Sequence, residues 1–448
     1  MTNHAFESRC NRRRFQLAIG GLALSPTLAR LQATLGEEKK LPPSDRLRVG
    51  IIGLGSRGFN LLDDLLSLND VDVAVVCDVD RLHYRDRPWG KGPVFGRDAA
   101  QNHVEKKSGR KPQTAVDYRE VCHRDDLDAI VIATPDHWHA LCTLTALRTG
   151  KAVYCEKPIT HWFHEGLAVC EEVKQRKAIF QTGSQQRSDA EFRRAVELVR
   201  NGVLGKVLRV EVGLPSGYET PQAETEIVAP PEGLDYNFWC GPAPFLPYMR
   251  ARHHRWWRGN RAFGGGVLMD WIGHHNDIAH WALDMDQSGP TRVEAVHWKF
   301  PTTELYDTPW HYTIRCDYAS GVSSTISDQH AIGTKIVGED GWLHVTRGKL
   351  TTSNPAWSKP DFRAGSFQIP GSSGHMRNFF DCIKSRETCI APAETAHRSI
   401  SPGHLGFVSS TLQRPLHWNP SEQRIIDDPE ADKLLRSGDY REPWGRNG

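Results

Sequence analysis

The sequence predicts an α/β fold whose N-terminal part is a parallel, doubly wound sheet. Two patterns support this prediction. A glycine-rich turn joins a short apolar strand to a helix near residue 53, and apolar strands then alternate with helical segments as far as residue 182. Such alternation needs crossover connections, which set successive strands parallel and leave helices on the faces of the sheet. Further strand-like runs between residues 207 and 345 indicate a second domain with its own sheet.

Length and composition fit a water-soluble globular protein. At about 150 residues per domain, the 448 residues suggest two or three domains. The 56 basic and 54 acidic residues nearly balance, so the composition gives no reason to expect nucleic-acid binding. No run of about 18 apolar residues predicts a transmembrane helix. The ten cysteines include no CxxC pair, and the spacing of Cys382 and Cys389 leaves a disulfide open.

Residues 1–45 are predicted to be an export signal and a linker. The basic run 12–14 precedes Phe15, a mild apolar stretch at 17–24, and small residues up to Ala29. The paired arginines followed by Phe resemble a twin-arginine signal, whose pathway exports folded proteins. A basic amphipathic helix is the alternative, but the Gly20-Gly21 pair and Pro26 disfavour it. We therefore expect export to the periplasm.

The strongest local pattern begins at residue 47. An apolar strand at 47–52 leads directly into the GxGxxG turn at 53–58, a helix at 59–68 and a second strand at 71–77 that ends in Asp78. This order of strand, glycine turn, helix, strand and acid is the complete fingerprint of a dinucleotide-binding unit. The alternative is a glycine turn that binds no nucleotide.

Each part of this fingerprint has a physical role. Gly53 permits the tight turn, Gly55 lets a pyrophosphate approach the backbone, and Gly58 allows the helix to pack closely on the strand. The helix N-terminus attracts the anion through its unpaired N–H groups. Asp78 is placed to accept hydrogen bonds from the adenosine ribose and would repel a 2′-phosphate, so NAD is favoured over NADP. Arg81 lies close enough to moderate that preference.

The alternation continues with strands at 127–133, 152–155 and 178–182. Two of these strands end in the polar segments Thr-Pro-Asp-His-Trp-His (134–139) and Glu-Lys-Pro (156–158). Ligands of doubly wound sheets bind beyond the carboxyl ends of the strands, so both segments are expected to line the site. The long connection at 81–113 is interpreted as a surface insertion.

These motifs resemble the glucose–fructose oxidoreductase/inositol dehydrogenase (Gfo/Idh/MocA) family. The similarity includes the 53–58 turn, Ala-Thr-Pro at 133–135 with His139, the 156–158 segment, and the 264–277 segment GGGVLMDWIGHHND. It implies a Rossmann domain at 46–185 and an α+β domain at 186–448 with an open, mostly antiparallel sheet. The resemblance also implies a nicotinamide cofactor, a sugar or polyol substrate, and association of copies through that sheet. The implied cofactor-binding residues are Gly53, Gly55, Ser56, Arg57, Gly58, Asp78, Thr134, Pro135, His139, Glu156 and Lys157.

Two groups are expected to carry the chemistry. Asp270, His274 and Asp277 recur at helical spacing, so one carboxylate could orient the imidazole. We predict that His274 is the general acid/base and Asp270 its partner; the alternative is a solvent-facing stripe with Asp270 as a helix cap. The resemblance assigns Lys157 a contact with both cofactor and substrate, where its ammonium would stabilise a developing alkoxide.

Other candidates are weaker. Sugar contacts are assigned to Arg187, Trp256, Trp257, His275 and Asp277, with His253 and His254 as further candidates. Each of these could instead pack or cap. His274, His275 and His280 lack a recognised ligand spacing, so no metal site is predicted.

Three functions remain open from the sequence. The first is a nicotinamide-dependent oxidoreductase acting on a hydroxyl or carbonyl carbon of a sugar, glycoside or polyol, with a tightly bound cofactor. The second is an NAD-dependent enzyme that cleaves glycosides through transient oxidation of the sugar. The third is a non-catalytic sugar-binding protein that keeps NAD as a structural element. None of the three requires a nucleic acid or stable membrane insertion, and a homo-oligomer is expected.

Overall fold

A computed structural model describes residues 45–84 and 94–445. The predicted twin-arginine sequence lies outside the described residues. Within them, the model contains no helix whose length and hydropathy together would let it cross a membrane.

The first sheet is parallel, as predicted. Its strands run in the spatial order β5-β2-β1-β6-β7-β8, so the chain reverses direction across the sheet between β1 and β6. A cleft opens at such a reversal point, beyond the carboxyl ends of the strands. The elements in chain order are β1 (Leu47–Ile52), α1 (Ser56–Leu66), β2 (Val71–Cys77), β3 (His83–Tyr84), β4 (Val94–Phe95), α2 (Arg97–Ser108), β5 (Gln113–Ala115), α3 (Tyr118–Cys122), β6 (Ala129–Ile132), α4 (His139–Arg148), β7 (Ala152–Cys155), α5 (Phe163–Arg176) and β8 (Phe180–Thr182).

The connection at 81–113 corrects one expectation. It was interpreted as a surface insertion, but it contains α2, the crossover helix between β2 and β5. Only Ala100 and Val104 of this helix are buried, and they pack in the core that includes Phe59 and Phe95. A helix with so few apolar residues gives a weak periodic signal, so α2 was not predicted from the sequence.

The second sheet is open and mostly antiparallel, as the resemblance implied. Its order is β15-β14-β13-β9-β12-β11-β10-β16-β17, and only the β9–β12 pair is parallel. One face packs on α6, α8 and α10 through the largest apolar core. The elements are α6 (Ala190–Arg200), β9 (Val207–Gly213), α7 (Tyr236–Cys240), α8 (Gly266–Ala282), β10 (Arg292–Lys299), β11 (His311–Asp317), β12 (Ser323–Ser327), β13 (Gly333–Gly338), β14 (Trp342–Thr346), β15 (Lys349–Thr352), α9 (His375–Ser385), α10 (Ala393–Leu412), β16 (Leu416–Asn419), β17 (Arg424–Ile425) and α11 (Pro429–Leu435).

Part of the C-terminal sequence supports the first domain. On α9, Met376, Phe379 and Phe380 are buried in the same core as Val49 and Ile51 of β1. The side of the parallel sheet nearest α1 is therefore closed by a helix that comes more than 300 residues later in the chain. The cysteines of the described residues are all free thiols, including Cys382 and Cys389.

A buried ion pair fixes α8, the helix that carries the predicted catalytic residues. Arg187 is 2% exposed and donates to both carboxylate oxygens of Asp277 on α8, at 2.8 and 2.9 Å. It also donates to Asp286 just beyond the helix, at 2.9 and 2.7 Å, and lies over the Trp281 ring. Since their charges satisfy one another inside the protein, Arg187 and Asp277 hold the fold together, although the sequence had suggested sugar contacts for them.

We expect Arg187→Met to lower the free energy of unfolding by roughly 3–5 kcal/mol, because the substitution leaves Asp277 charged, buried and unpaired. Urea unfolding followed by circular dichroism measures this loss. The matched control is Arg315→Met, since Arg315 is half exposed beside Asp317 and such surface pairs contribute about 1 kcal/mol or less. Equal stability of the two variants would contradict a bracing role for Arg187.

Candidate active site

A cavity of about 630 Å³ lies at the carboxyl ends of the parallel strands, between the two domains. One wall is the glycine turn with the ends of β2, β6 and β7. The other wall is formed by α8, the 3-10 helix His254–Gly259 and the turn between β14 and β15. The site is therefore built from both domains, as expected for a ligand that bridges them.

The glycine turn fits a dinucleotide. Gly53 has φ +90°, and a Cβ there would lie 2.6 Å from the backbone of Ala133. A Cβ on Gly58 would lie 2.0 Å from the carbonyl oxygen of Gly53, so α1 could not pack this closely on the turn. By contrast, no atom lies within 4 Å of a Cβ on Gly55, where the cavity is open. Because Gly55 also caps α1 without a side chain, first-turn N–H groups are accessible to an anion.

Asp78 lines the cavity and braces the turn. Its carboxylate accepts hydrogen bonds from the backbone N–H of Leu54 (2.5 Å) and of Asp80 (2.8 Å). Burial raises the pKa of this carboxyl, although both N–H groups and His83 act against that shift. Asp78 therefore stabilises the glycine turn, a role additional to its predicted hydrogen bond with the ribose.

Glu156 clamps the turn to the end of β7. It is 5% exposed and accepts hydrogen bonds from Arg57 Nε (2.8 Å) and Gln185 Nε2 (2.9 Å). The carboxylate of Glu156 helps to hold the pKa of Arg57 above its ordinary value against the opposing effect of burial. Gly183 makes room for this carboxylate, since a Cβ there would lie 2.5 Å from it.

Lys157 meets Asp270 across the two domains. Its Nζ donates to the Asp270 carboxylate at 2.5 Å and to the Asp270 carbonyl oxygen at 2.7 Å. The second carboxylate oxygen of Asp270 lies 3.1 Å from Arg258 Nε. Burial alone would raise the pKa of Asp270, but Arg258 and Lys157 together hold it well below its ordinary range. Asp270 is thus an ionised anchor for two cations.

This arrangement corrects the predicted Asp270–His274 pair. The two side chains share a face of α8, but the carboxylate of Asp270 is already engaged by Lys157 and Arg258. His274 Nδ1 is buried without a hydrogen-bond partner among the described residues. Burial and the neighbouring cations Lys157 and Arg347 hold the pKa of His274 well below its ordinary value, so the imidazole is neutral. A neutral ring is the form that accepts a proton.

Asp136 belongs to the 134–139 segment that was expected to line the site, but the sequence had assigned it no role. It lines the cavity, is 3% exposed, and its Oδ2 has no hydrogen-bond partner among residues 45–84 and 94–445. Gly264 leaves space for it, because a Cβ there would lie 2.8 Å from this oxygen. Burial, reinforced by the negative charge of Asp270, raises the pKa of Asp136 to about 7, against the pull of Arg258 and Lys157. Asp136 could therefore give or take a proton near neutral pH.

The remaining predicted residues separate into two groups. Thr134, Pro135, Trp256 and Trp257 line the cavity, as do Ser56 and His254. His139 and His275 are buried behind its wall. The ring nitrogens of His139 contact the carbonyl oxygens of Pro158 and Thr134 at 2.9 and 3.0 Å, which joins the two loops. His275 is fully buried and stacks on Trp271, which itself lines the cavity.

The histidine group considered for a metal does not converge. The described residues instead bring together Asp80, His83 and His254, whose candidate ligand atoms lie within 4.8 Å of one another. The two imidazole rings are stacked, with centroids 3.7 Å apart and planes 19° apart. Each ring presents a nitrogen to the same Asp80 oxygen, His83 Nδ1 at 3.4 Å and His254 Nε2 at 3.2 Å. We therefore interpret this group as a hydrogen-bonding cluster around Asp80.

Comparison with known families agrees with this geometry. Residues 47–184 match the Gfo/Idh/MocA "Oxidoreductase family, NAD-binding Rossmann fold", and residues 188–446 match its "C-terminal alpha/beta domain". The chain belongs to the Gfo/Idh/MocA oxidoreductase family. Its first domain is therefore an NAD-binding Rossmann domain, and the predicted cofactor and fold class are confirmed.

Individual relatives are distant. A glycosyl hydrolase family 109 protein of Shewanella baltica is 27% identical over 174 residues, which cover 38% of this chain and 35% of the relative. The match thus spans about a third of that relative's own length.

Solved structures share the fold at low identity. The aldose-aldose oxidoreductase of Caulobacter crescentus, in complex with glycerol, has a TM-score of 0.60 at 16% identity over 83% of this chain and 99% of that one. The WlbA dehydrogenase of Bordetella pertussis, in complex with NADH and UDP-GlcNAcA, has a TM-score of 0.59 at 15% identity over 84% and 99%.

The raised pKa of Asp136 gives a pH-dependent prediction. An unfolded aspartate titrates near 3.8 and the folded one near 7, so the folded state binds the extra proton between these values. Wild-type stability from this group is present below about pH 4 and is lost as pH rises through 7. We expect Asp136→Asn to gain stability relative to wild type as pH rises from 5 to about 8, measured by urea unfolding. The exposed residue Asp361 provides the control, and an Asp136→Asn difference as flat with pH as that of Asp361→Asn would contradict the raised pKa.

Proposed function

We propose that this protein is an NAD-dependent oxidoreductase acting on a hydroxyl or carbonyl carbon of a sugar, glycoside or polyol. The observation that carries this proposal is the meeting of Lys157 with Asp270 inside the cavity. It places a cation from the end of β7, on the cofactor domain, beside the helix of the second domain that carries His274. A substrate hydroxyl bound there would contact groups from both domains.

The side chains of the cavity would have separate roles in hydride and proton transfer. NAD supplies the hydride acceptor when it is bound. Lys157 donates a hydrogen bond to the reacting oxygen, and its positive charge stabilises the alkoxide that develops there. Asp270 keeps the ammonium in place, while the neutral imidazole of His274 accepts the hydroxyl proton. Asp136, which titrates near neutral pH, can hold or return a proton in the same space.

We expect Lys157→Ala and His274→Ala each to lower turnover by roughly 100-fold or more, because each removes a group that acts on the reacting oxygen or its proton. The assay follows nicotinamide absorbance with the best substrate of a sugar and polyol panel, and NAD content is measured alongside. Lys299→Ala and His297→Ala on the exposed part of β10 are the matched controls. Wild-type turnover in either cavity variant would remove its assigned role.

A second candidate is redox-assisted glycoside cleavage. It is supported by the similarity to a protein named as a glycosyl hydrolase of family 109. In that chemistry a sugar hydroxyl is oxidised to a ketone by NAD, the aglycone is eliminated, water adds to the resulting double bond, and the ketone is reduced again by NADH, so that NAD undergoes no net change. Release of the aglycone from aryl glycosides without accumulation of NADH would identify it. Binding of sugars with neither outcome would favour the third option, a non-catalytic binding protein.

We further propose that the protein is exported with NAD bound and that copies associate through the open face of the second sheet. The twin-arginine pattern supports export in the folded state. The periplasm is not expected to hold a ready NAD pool, so the cofactor would have to be regenerated on the protein. Hydride transfer between two substrates, oxidation and reduction within one substrate, or an external electron acceptor would each regenerate the cofactor.

The proposed association of copies uses the outward face of β9 to β13. This face has the exposed or partly exposed side chains of Glu211, Arg315 and Lys335, and no described helix covers it.

Protein purified by gel filtration should therefore still contain close to one nicotinamide per chain and should turn over repeatedly without added NAD. The measurement is absorbance and mass spectrometry of the nucleotide released by denaturation, followed by a turnover assay in NAD-free buffer. Cofactor-free protein that works only with millimolar added NAD would overturn tight binding. In that case the protein is a cytoplasmic enzyme or its N-terminal pattern is not a signal.

A further inference from the structure

Arg347 is a cation of the cavity lining that has no carboxylate partner among residues 45–84 and 94–445. Arg347 lies in the turn between β14 and β15 and lines the cavity near His274 and Trp271. Its guanidinium carbon is 5.1 Å from the centroid of the Trp271 ring. With the Gln186 amide oriented so that its nitrogen donates to the His274 carbonyl (2.8 Å), the Gln186 oxygen accepts from Arg347 Nε at 3.3 Å. A ring and an amide thus support the guanidinium from one side.

Three other cations of the cavity lining are paired with carboxylates. Arg57 pairs with Glu156, and both Lys157 and Arg258 pair with Asp270. Among the described residues, no carboxylate lies within 4.0 Å of the Arg347 guanidinium. Partial burial and the positive charge of Arg57 lower the pKa of Arg347, while Asp270 and Asp189 attract it only from a distance. Arg347 is an exposed residue of the cavity lining, and its terminal nitrogens make no hydrogen bond to the described part of the protein.

We propose that Arg347 binds a carboxylate of the substrate, so that the enzyme acts on acidic sugars such as uronates in preference to neutral ones. This inference rests on the proposed function, whose substrate class it narrows. A planar guanidinium binds both oxygens of a carboxylate through two parallel hydrogen bonds. The position beside His274 and Trp271 would place that carboxylate on a sugar whose hydroxyl reaches Lys157.

The pyrophosphate of NAD is the other anion that could approach Arg347. The glycine turn and the N-terminus of α1 already provide a pyrophosphate site on the opposite wall. Arg347 belongs to the second domain and is supported by Trp271 on α8 and by Gln186. These contacts favour the substrate as the source of the anion, and the experiment below separates the two sources.

The test uses the NAD-loaded full chain and matched sugar pairs: D-glucuronate with D-glucose, and D-galacturonate with D-galactose. We expect kcat/KM to favour the acids in wild type. Arg347→Gln should reduce the acid-to-neutral ratio on the order of 10- to 100-fold, the effect of losing a hydrogen bond to a charged group. The acid-to-neutral ratio of Arg347→Lys should lie between those of wild type and Arg347→Gln, because an ammonium cannot bind both carboxylate oxygens in one plane. Arg424→Gln on β17, whose side chain is 63% exposed, is the control and should leave the ratio unchanged.

Binding of the same sugars by calorimetry keeps this inference separate from the proposed function. Binding of an acid that depends on Arg347, without any turnover, would support the carboxylate site and contradict the oxidoreductase. Turnover of neutral sugars with an unchanged acid-to-neutral ratio in Arg347→Gln would overturn the carboxylate site and leave the oxidoreductase standing. Loss of NAD from Arg347→Gln with an unchanged acid-to-neutral ratio would show that Arg347 binds the cofactor, and this result would also overturn the proposed carboxylate site.

Discussion

The contact of Lys157 with Asp270 is the interaction on which the rest of the site depends. The two side chains are 12% and 14% exposed, and charges this far from water are stable only when each satisfies the other, because an unpaired charge in the interior is costly. Their meeting requires the end of β7 and the first turns of α8 to be held in fixed positions. Glu156 fixes the first by binding Arg57 of the glycine turn. Arg187 fixes the second by binding Asp277 two turns further along α8.

The same pairing decides which groups remain available for proton transfer. Because Asp270 holds two cations, its carboxylate stays ionised, and it acts on His274 only through its charge. His274 and Asp136 have no such anchoring among the described residues. His274 is neutral, and Asp136 has its pKa raised to about 7. Environments that push the pKa values of neighbouring groups apart in this way are typical of acid–base sites. Helical spacing predicted the shared face of Asp270 and His274, but it could not show that Lys157 and Arg258 compete for the same carboxylate.

Features formed by residues close together in the sequence could be predicted, whereas features that depend on distant residues could not. The glycine turn, the acid at 78 and the segments after β6 and β7 are local, so the first sheet and much of its ligand wall followed from the sequence. The helix α2 was missed because it buries only two apolar side chains. Asp136 and Arg347 owe their properties to burial and to charged neighbours distant in sequence, such as Arg258 for Asp136 and Arg57 for Arg347, and no local pattern reports such contacts. The buried pairing of Arg187 with Asp277 could not be foreseen for the same reason.

The longest helix of the described residues, α10, contributes to the cores of both domains. The first turns of α10 place Ala393 and Ala396 in the core of the Rossmann domain, and Ile400, Leu405 and Phe407 of the same helix lie in the core of the second domain. A Cβ on Gly403 would lie 2.5 Å from Met269 Sδ on α8, so α10 also packs closely on the helix that carries the site. Separation of the domains would have to bend this helix or expose one of its apolar ends to water. Opening the cavity by rigid rotation of the domains is therefore costly, and this cost supports the proposal that the cofactor stays bound through export and through each catalytic cycle.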